Sequence, residues 1–261
     1  MDRNHIEKIA KTPEDRMLLA KVWDKITGGM QKNVFACTDF LSPRELEMTR
    51  YLFGETQGLI SFGGHPEAER KMLVFLPDYL DEAVLMEDDS PMVCLRASFY
   101  RDDSPTHRDF LGALMGAGIT RQSVGDIYVS KTSCDFFVTQ KIAPYILQNF
   151  SSAGRVSLQL EQIPLAQANL PQPQTQQIKD TLASLRLDGV ISTGFRISRS
   201  AATQFIAAGR VAIGGLPCEK PDKLVEAGVK ISVRGLGKIL LKTINGQTKK
   251  GRISVVIDRY V

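Results

Sequence analysis

The stretch "ISRSAATQFIAAGRVAIGG", residues 197–215, decides the fold of the last third of the chain. Ser198 is a favourable N-cap for a helix, and Gly209 ends that helix in the left-handed conformation. The helix carries an apolar stripe at i, i+3 and i+4, formed by Ala202, Phe205 and Ile206. The run that follows predicts a strand leading into a turn. Arginines stand near both ends of the helix, and no carboxylate lies within the stretch.

The sequence on either side extends this into a basic module. Residues 180–195 predict a preceding helix, with Leu182, Leu185, Leu187 and Val190 near one face. Residues 228–261 predict three strands joined by glycine-containing and basic turns. Residues 182–261 contain 14 Lys and Arg against 5 Asp and Glu, a net charge of +9, whereas residues 1–181 carry −5. The asymmetry indicates a polyanionic partner, and a solvated basic face is the alternative.

The earlier part of the chain has two patterns. Residues 1 to about 85 predict a small α/β unit, in which Thr12, Pro13 and Asp15 begin a helix that Gly28 and Gly29 end. Ser42, Pro43 and Glu45 give a second helix start of the same kind. The next segment predicts the order βαββαβ, with elements at 92–100, 104–118, 126–130, 135–139, 140–150 and 155–163.

The fold class that follows is a multidomain α+β protein. We predict an N-terminal α/β domain at 1–88 and a ferredoxin-like, RRM-like middle domain at 89–163. The uncharged, Pro- and Gln-rich run "PLAQANLPQPQTQQ" predicts a linker at 164–180, followed by the basic module at 181–261. The basic-Gly-aromatic signature of the commonest RNA-binding ferredoxin-like domains is absent from the middle domain, so its role stays open.

Composition excludes several classes of protein. The four cysteines, Cys37, Cys94, Cys134 and Cys218, are widely scattered, which favours reduced and mostly buried thiols over a zinc site. No apolar run approaches 18 residues and the N-terminus lacks an apolar core. We therefore expect a cytoplasmic protein without a membrane partner.

The runs "RLDGVIS", "ISRSAATQFIAAGRVAIGG" and "VEAGVKISVRGLGK" resemble the S-four-type RNA-binding domain over about residues 182–245. One departure is Gly214, where the family usually has Asn. The resemblance implies that the start of the second helix faces RNA. The RNA-binding residues it implies are Arg186, Ser198, Arg199, Ser200, Gln204, Arg210, Arg234 and Lys238.

The chemistry of these residues leaves alternatives open. Arginine suits phosphate because its planar fork binds in a bidentate manner, but each arginine could instead form a surface ion pair. Asp188 is expected to be a cap or ion-pair residue, because a carboxylate repels phosphate. Lysines on the later strands, with Arg252, either extend the phosphate footprint or blunt a strand edge; they are Lys238, Lys249 and Lys250.

Two further runs, at residues 63–77 and 106–129, resemble the YlmH family of bacterial proteins, and the similarity covers essentially the whole chain. That resemblance implies a non-catalytic factor that docks on structured RNA, rRNA or tRNA, of the large ribosomal subunit during rescue or quality control of stalled translation. It implies a monomer without cofactor, metal or catalytic residues.

Two alternatives remain. "RLDGVISTG" superficially matches the catalytic loop of pseudouridine synthases, but only 73 residues follow Asp188, and Ser192 replaces the threonine of that loop. A scaffold role linked to cell division is the other alternative.

Two groups of residues are candidates for catalytic or metal sites and are not favoured. His107, Arg108 and Asp109 are adjacent on a helix and so point in different directions, while His65, Glu67 and Glu69 lack metal-ligand spacing.

Overall fold

The computed structural model describes residues 5–87, 90–100, 102–170, 174–248 and 251–261. The chain is an α+β protein of two units, residues 1–171 (the N-terminal unit) and residues 172–261 (the C-terminal unit). Lys249 and Lys250, and residues 171–173 of the predicted linker, lie outside the described residues. The division of residues 1–163 into two domains stays a prediction. Within the described residues, no helix is both long and apolar enough to cross a bilayer.

The first half of the N-terminal unit packs helices beside a three-stranded antiparallel sheet. In chain order its elements are α1 (His5–Ile9), α2 (Pro13–Lys32), β1 (Ala36–Cys37), α3 (Pro43–Phe53), β2 (Leu59–Phe62) and β3 (Met72–Phe75). The order across the sheet is β1-β3-β2. The start of α3 is confirmed, because Ser42 and Glu45 form a complete capping box.

The start of α2 is confirmed only in part, and its predicted end is wrong. Thr12 caps the helix, but Asp15 accepts hydrogen bonds from Arg44 at 2.7 and 2.6 Å and so ties α2 to α3. The helix continues through Gly28 and Gly29 to Lys32. A Cβ at Gly29 would lie 2.5 Å from Cβ of Ala36, so this glycine permits close helix–strand packing. The helix ends at Asn33, which takes the left-handed conformation at φ 50°.

The second half of the N-terminal unit has the predicted βαββαβ order. Its elements are β4 (Met92–Ser98), α4 (His107–Gly116), β5 (Val124–Val129), β6 (Ser133–Thr139), α5 (Ala143–Asn149), a short hairpin of β7 (Ser152–Ala153) and β8 (Val156–Ser157), and β9 (Gln159–Ile163). The sheet is antiparallel in the order β5-β6-β4-β9, which is the ferredoxin-like arrangement. The hairpin was not predicted, because its strands are two residues long.

Both faces of this four-stranded sheet are covered. Val93 and Leu95 of β4 pack with Phe110 and Leu114 of α4 in one core. The alternate residues of the sheet, Met92, Cys94 and Phe137, pack instead with Phe40, Met72 and Val74 from the first half of the unit. Because side chains alternate along a strand, the first 90 residues supply the layer that covers the second sheet face.

Arg70 and Asp126 connect the two halves of the N-terminal unit. The Arg70 guanidinium donates to the carbonyl oxygens of Val124, Phe40 and Arg121 at 2.9, 3.0 and 3.2 Å. The Asp126 carboxylate accepts from the backbone N–H groups of Glu69 and Arg70 at 2.7 and 3.2 Å. The motif at residues 63–77 therefore has a structural role here, holding the first segment against β5.

His65 belongs to the same junction. Its Nε2 lies 3.0 Å from the hydroxyl of Tyr128, which donates to Asp126 at 3.1 Å. Burial of the imidazole lowers the pKa of His65, which favours the neutral form. His65 is thus part of a buried hydrogen-bond network.

The C-terminal unit packs two helices on one face of a six-stranded antiparallel sheet. Its elements are β10 (Thr175–Leu182), α6 (Leu187–Phe195), α7 (Arg199–Ala207), β11 (Val211–Ile213), β12 (Leu216–Pro217), β13 (Lys230–Val233), β14 (Gly237–Gln247) and β15 (Ile253–Tyr260). The order across the sheet is β10-β15-β14-β13-β11-β12. The predicted second helix, the Gly209 stop at φ 64° and the three later strands are confirmed.

The beginning of this unit differs from the prediction. Residues 175–180, assigned to the linker, form strand β10, and Leu182 is the last residue of that strand. The first helix begins only at Leu187. All eight residues of β10 pair with β15, from Thr175 opposite Tyr260 to Leu182 opposite Ile253. The strand depends on a partner more than 70 residues away in sequence and buries only Ile178 and Leu182, so its local pattern is weak.

We predict that Arg70→Lys lowers the free energy of unfolding of the N-terminal unit by about 2–4 kcal/mol, because one ammonium cannot reach three carbonyl oxygens arranged for a guanidinium. Urea unfolding followed by the fluorescence of Trp23, which stacks on Phe53 at 5.5 Å, measures the change. Arg50→Lys, at an exposed arginine, is the matched control. Equal stability of the two variants would contradict the role given to Arg70.

Candidate RNA-binding surface

The start of α7 is held in place by the short loop that follows α6. Arg196 ends α6 in the left-handed conformation at φ 55°. The Ser192 hydroxyl donates to the carbonyl of Ile197 at 2.7 Å, and Ser198 caps α7 by accepting from the N–H of Ala201 at 3.1 Å. The sequence therefore fixes where the N-terminus of α7 points.

A buried carboxylate joins two of the predicted RNA-binding residues. Arg199 donates to Asp188 through Nε and Nη2, both at 3.0 Å. Arg186 donates to the same carboxylate through Nε and Nη2, both at 3.4 Å. The backbone N–H of Gly189 is a third donor group, besides the two arginines, at 2.8 Å. The expectation that Asp188 is an ion-pair residue is confirmed.

The two arginines differ from Asp188 in exposure. The side chain of Asp188 is 6% exposed, whereas those of Arg199 and Arg186 are 55% and 39% exposed. Burial alone would raise the pKa of Asp188, but the hydrogen bonds from Arg199, Arg186 and the Gly189 N–H outweigh it and hold that pKa below its usual value. One negative charge thus orients two positive ones, and the cluster keeps a net charge of +1 on the surface.

Ser200 and Gln204 lie one turn apart on α7 and are both exposed. Residues at i and i+4 share a helix face. Ser200 and Gln204 therefore share a face of α7, and Ser198 and Arg199 stand at its N-terminal end. Their role in binding RNA stays a prediction.

A second basic cluster lies beyond the other end of α7. The guanidinium of Arg210 stacks on the ring of Phe205 at 4.7 Å and donates to the carbonyl of Arg234 at 2.7 Å. The N–H of Arg234 donates in turn to the carbonyl of Arg210 at 2.8 Å. A Cβ at Gly235, which has φ 96°, would lie 2.6 Å from Nη2 of Arg210. The positive φ favours glycine at this position, and a larger residue would also displace the end of the Arg210 side chain.

The turn after β11 explains the departure at Gly214. Gly214 and Gly215 both have positive φ, 55° and 89°, and connect the paired residues Ile213 and Leu216. A two-residue hairpin with two positive φ values accepts Asn or Gly at its first position. Glycine thus keeps the turn while removing the side chain.

Lys238 belongs to the β13–β14 hairpin that also carries Arg234. It comes immediately before the core residue Ile239 and lies on the sheet face away from the helices. Arg252 donates to the hydroxyl of Thr181 at 2.9 Å and so links β10 to the loop before β15. Arg196 is an exposed basic residue beside the start of α7 that the sequence reasoning missed. In the sequence, Arg196 could have been identified only from its position, two residues before the Ser198 cap.

The motif at the start of α4 is accounted for by helix capping. Thr106 and Asp109 form a complete capping box. The hydrogen bonds from the hydroxyl and N–H of Thr106 lower the pKa of Asp109. Asp109 therefore stabilises the start of α4.

We predict that Asp188→Asn raises the rate of amide hydrogen exchange in residues 186–199 by about 5- to 150-fold, equivalent to about 1–3 kcal/mol, because two arginines lose their shared carboxylate. The pKa of Asp188 is lower in the folded protein than its ordinary value of 3.8. The stabilisation is therefore complete above about pH 4 and is lost as the pH falls through the folded-state pKa. Exchange measured at about pH 6 and about pH 8, corrected for intrinsic rates, should show the same difference, and no difference at either pH would contradict the account.

Comparison with known proteins gives two family matches. Residues 103–167 match the family described as "Putative RNA-binding domain in YlmH", and residues 185–231 match the S4 domain. The first match covers α4 to β9 and the second covers α6, α7 and the strands as far as β13.

Two individual proteins are also similar to this chain. The chain is 35% identical over 225 residues to the "Ribosome-associated protein quality control protein P2" of Bacillus subtilis (strain 168), covering 85% of this chain and 86% of that protein. The solved structure of the "Cell division protein ylmH from Streptococcus pneumoniae" is 23% identical, with a TM-score of 0.48, and covers 60% of this chain and 95% of that one. The identity to the Bacillus protein over most of both chains, with the two domain matches, shows that this chain belongs to the YlmH family.

Proposed function

We propose that this protein is a non-catalytic RNA-binding factor that docks on structured RNA of the large ribosomal subunit and acts in quality control of stalled translation. The RNA is rRNA, tRNA or both, and the protein works in the cytoplasm as a monomer without a cofactor. The observation that carries the proposal is the exposed arginine pair held by Asp188 at the start of α7, within the S4 domain match. The name of the Bacillus relative supports the ribosomal setting.

The geometry of α7 suits the phosphate backbone of an RNA stem. The N-terminus of a helix attracts anions through its N–H groups and its dipole. Arg199 and Arg186 stand at that end, and Arg210 and Arg234 lie beyond the other end, about 13 Å away for a nine-residue helix. Two cationic clusters at that separation recognise a shape and a phosphate spacing rather than a base sequence.

The N-terminal unit contributes differently. This unit, residues 1–171, carries a net charge of −5, and both faces of the four-stranded sheet are covered. The sheet face that ferredoxin-like domains commonly use to stack bases is therefore closed. We propose that this unit contacts a protein, or a second RNA element through its helices and loops. Because the two units are tethered, binding by one unit then raises the apparent affinity of the other for its own target.

The enzyme alternative is disfavoured by the environment of Asp188. A nucleophilic aspartate needs access to its substrate, but this carboxylate is 6% exposed and accepts hydrogen bonds from two arginines and one N–H. These contacts suit a positioning role for Asp188.

The proposal is tested by adding negative charge to α7 without disturbing its fold. Reversing Arg199 would place a second carboxylate beside Asp188, whereas Ser200 and Gln204 are exposed and far less constrained. Glutamate at position 200, in the first turn, favours the helix by about 0.3–1 kcal/mol, which offsets the repulsion of about 0.2–0.5 kcal/mol between glutamates at 200 and 204. Ser200→Glu/Gln204→Glu should therefore keep the fold while repelling phosphate.

We predict that wild-type protein sediments with the large subunit in sucrose gradients and that Ser200→Glu/Gln204→Glu reduces the bound fraction at least about 10-fold. Gln57→Glu/Gln122→Glu, at exposed positions of the N-terminal unit, makes the same change in charge and should sediment as wild type. Wild-type protein that stays at the top of the gradient would contradict ribosome docking. Full binding by the α7 variant would contradict the assigned surface.

A further inference from the structure

The sheet of the C-terminal unit has a second face, on the side away from α6 and α7. Ile231, Ile239 and Ile257 point towards the helices in the hydrophobic core. Because side chains alternate along a strand, their neighbours point to the opposite face. We call this opposite face the lysine face. It is formed by β10, β15, β14 and β13 and includes Lys179, Lys230, Lys238, Lys242, Asp258 and Tyr260.

The strand register brings these residues together. Lys230 pairs with Leu240, Leu240 pairs with Asp258, and Asp258 with Gln177, which forms one row across four strands. The pairing of Ile239 with Arg259 places Lys238 beside Tyr260 in the next row. With neighbouring strands about 4.8 Å apart, the face is about 14 Å wide.

The charge on this face is strongly positive. Four lysines lie on it, whereas Asp258, the acidic side chain on this face among the described residues of its strands, is 9% exposed and binds Lys242 at 2.9 Å. The amide of Gln177 also donates to Asp258, at 3.4 Å. The carboxylate thus lies low between its neighbours, and the exposed charge of the face is carried by ammonium groups. This distribution complements a polyanion.

Tyr260 adds an aromatic surface to the cationic one. Its side chain is partly exposed, and the ammonium of Lys230 lies 5.9 Å from the ring centroid. Proteins that bind single-stranded nucleic acids combine a basic track for the backbone with aromatic rings on which bases stack. Four-stranded antiparallel sheets with exposed aromatic residues bind RNA bases by stacking in this way.

We propose that the lysine face is a second RNA-binding surface, which takes a single-stranded segment by phosphate contacts to the lysines and by stacking of a base on Tyr260. It rests on the proposed function only in taking RNA as the ligand. Except for Lys230, its residues lie outside the S4 domain match at 185–231, so β10, β14 and β15 supply a site that this domain match does not include. The C-terminal unit then holds a stem at α7 and a single strand on the opposite face.

The test is fluorescence anisotropy of a labelled ten-nucleotide oligouridine with the full chain. We expect Lys179→Gln/Lys230→Gln to weaken binding at least about 10-fold and to reduce the slope of log affinity against log salt by about 1.4, at 0.7 for each lost phosphate contact. Tyr260→Leu should weaken binding about 5-fold or more with the slope unchanged, because it removes stacking and no charge. Lys21→Gln/Lys25→Gln, at exposed positions of α2, is the charge-matched control.

The outcomes separate this inference from the proposed function. Ser200→Glu/Gln204→Glu should lose ribosome sedimentation but keep oligouridine binding, which supports two separate surfaces. Oligouridine binding that is unchanged in both lysine-face variants, or weakened equally in the α2 control, would overturn the inference and leave ribosome docking standing. A lysine-face variant that binds oligouridine normally but no longer sediments with ribosomes would assign the face to an acidic protein instead, which also overturns it.

Discussion

The arrangement of the C-terminal unit depends on one buried carboxylate. Asp188 lies at the start of α6. It accepts hydrogen bonds from Arg186, which precedes α6 in the sequence, and from Arg199, the first residue of α7. A buried charge without partners is costly, so the two arginines stay close to it. The same contact that stabilises the helix pair therefore fixes two guanidinium groups on the surface. In the proposed function, this leaves the two side chains little freedom to lose when they bind phosphate.

In the N-terminal unit, the surfaces of the sheet are used for packing within the unit itself. Its ferredoxin-like sheet uses both faces for packing, one against α4 and α5 and the other against the first 90 residues. Arg70 and Asp126 then fasten the two halves through backbone groups. Contacts made by this unit with other molecules must therefore come from its helices, loops and edges. This is a different use of the fold from the commonest RNA-binding one.

Local signals in the sequence predicted most elements correctly. The caps at Ser42 and Ser198 and the stop at Gly209 depend on neighbouring residues alone, and all three are confirmed. The failures involve distant partners. Gly29 does not end α2, since its purpose is close approach to Ala36, and β10 exists only through pairing with β15. The residues next to Gly29 and those within β10 do not indicate the approach to Ala36 or the pairing with β15.

The candidate site was predictable in its residues and not in its arrangement. The resemblance to the S-four-type domain placed Arg199, Ser200 and Gln204 on one helix, as the structure has them. It did not show that Arg186 and Arg199 share Asp188, or that Lys238 lies on the opposite face of the sheet. Those facts depend on the packing of α6 against the sheet and on the strand register, which residue spacing does not encode.

The central claim, that α7 and its flanking arginines face ribosomal RNA, is tested most directly by ultraviolet crosslinking of the full chain to purified large subunits. Mass spectrometry of the crosslinked peptides identifies the contact. The account predicts RNA crosslinks in peptides that span residues 196–210, and their loss in Ser200→Glu/Gln204→Glu. RNA crosslinks confined to residues 1–171, or unchanged in that variant, would contradict it.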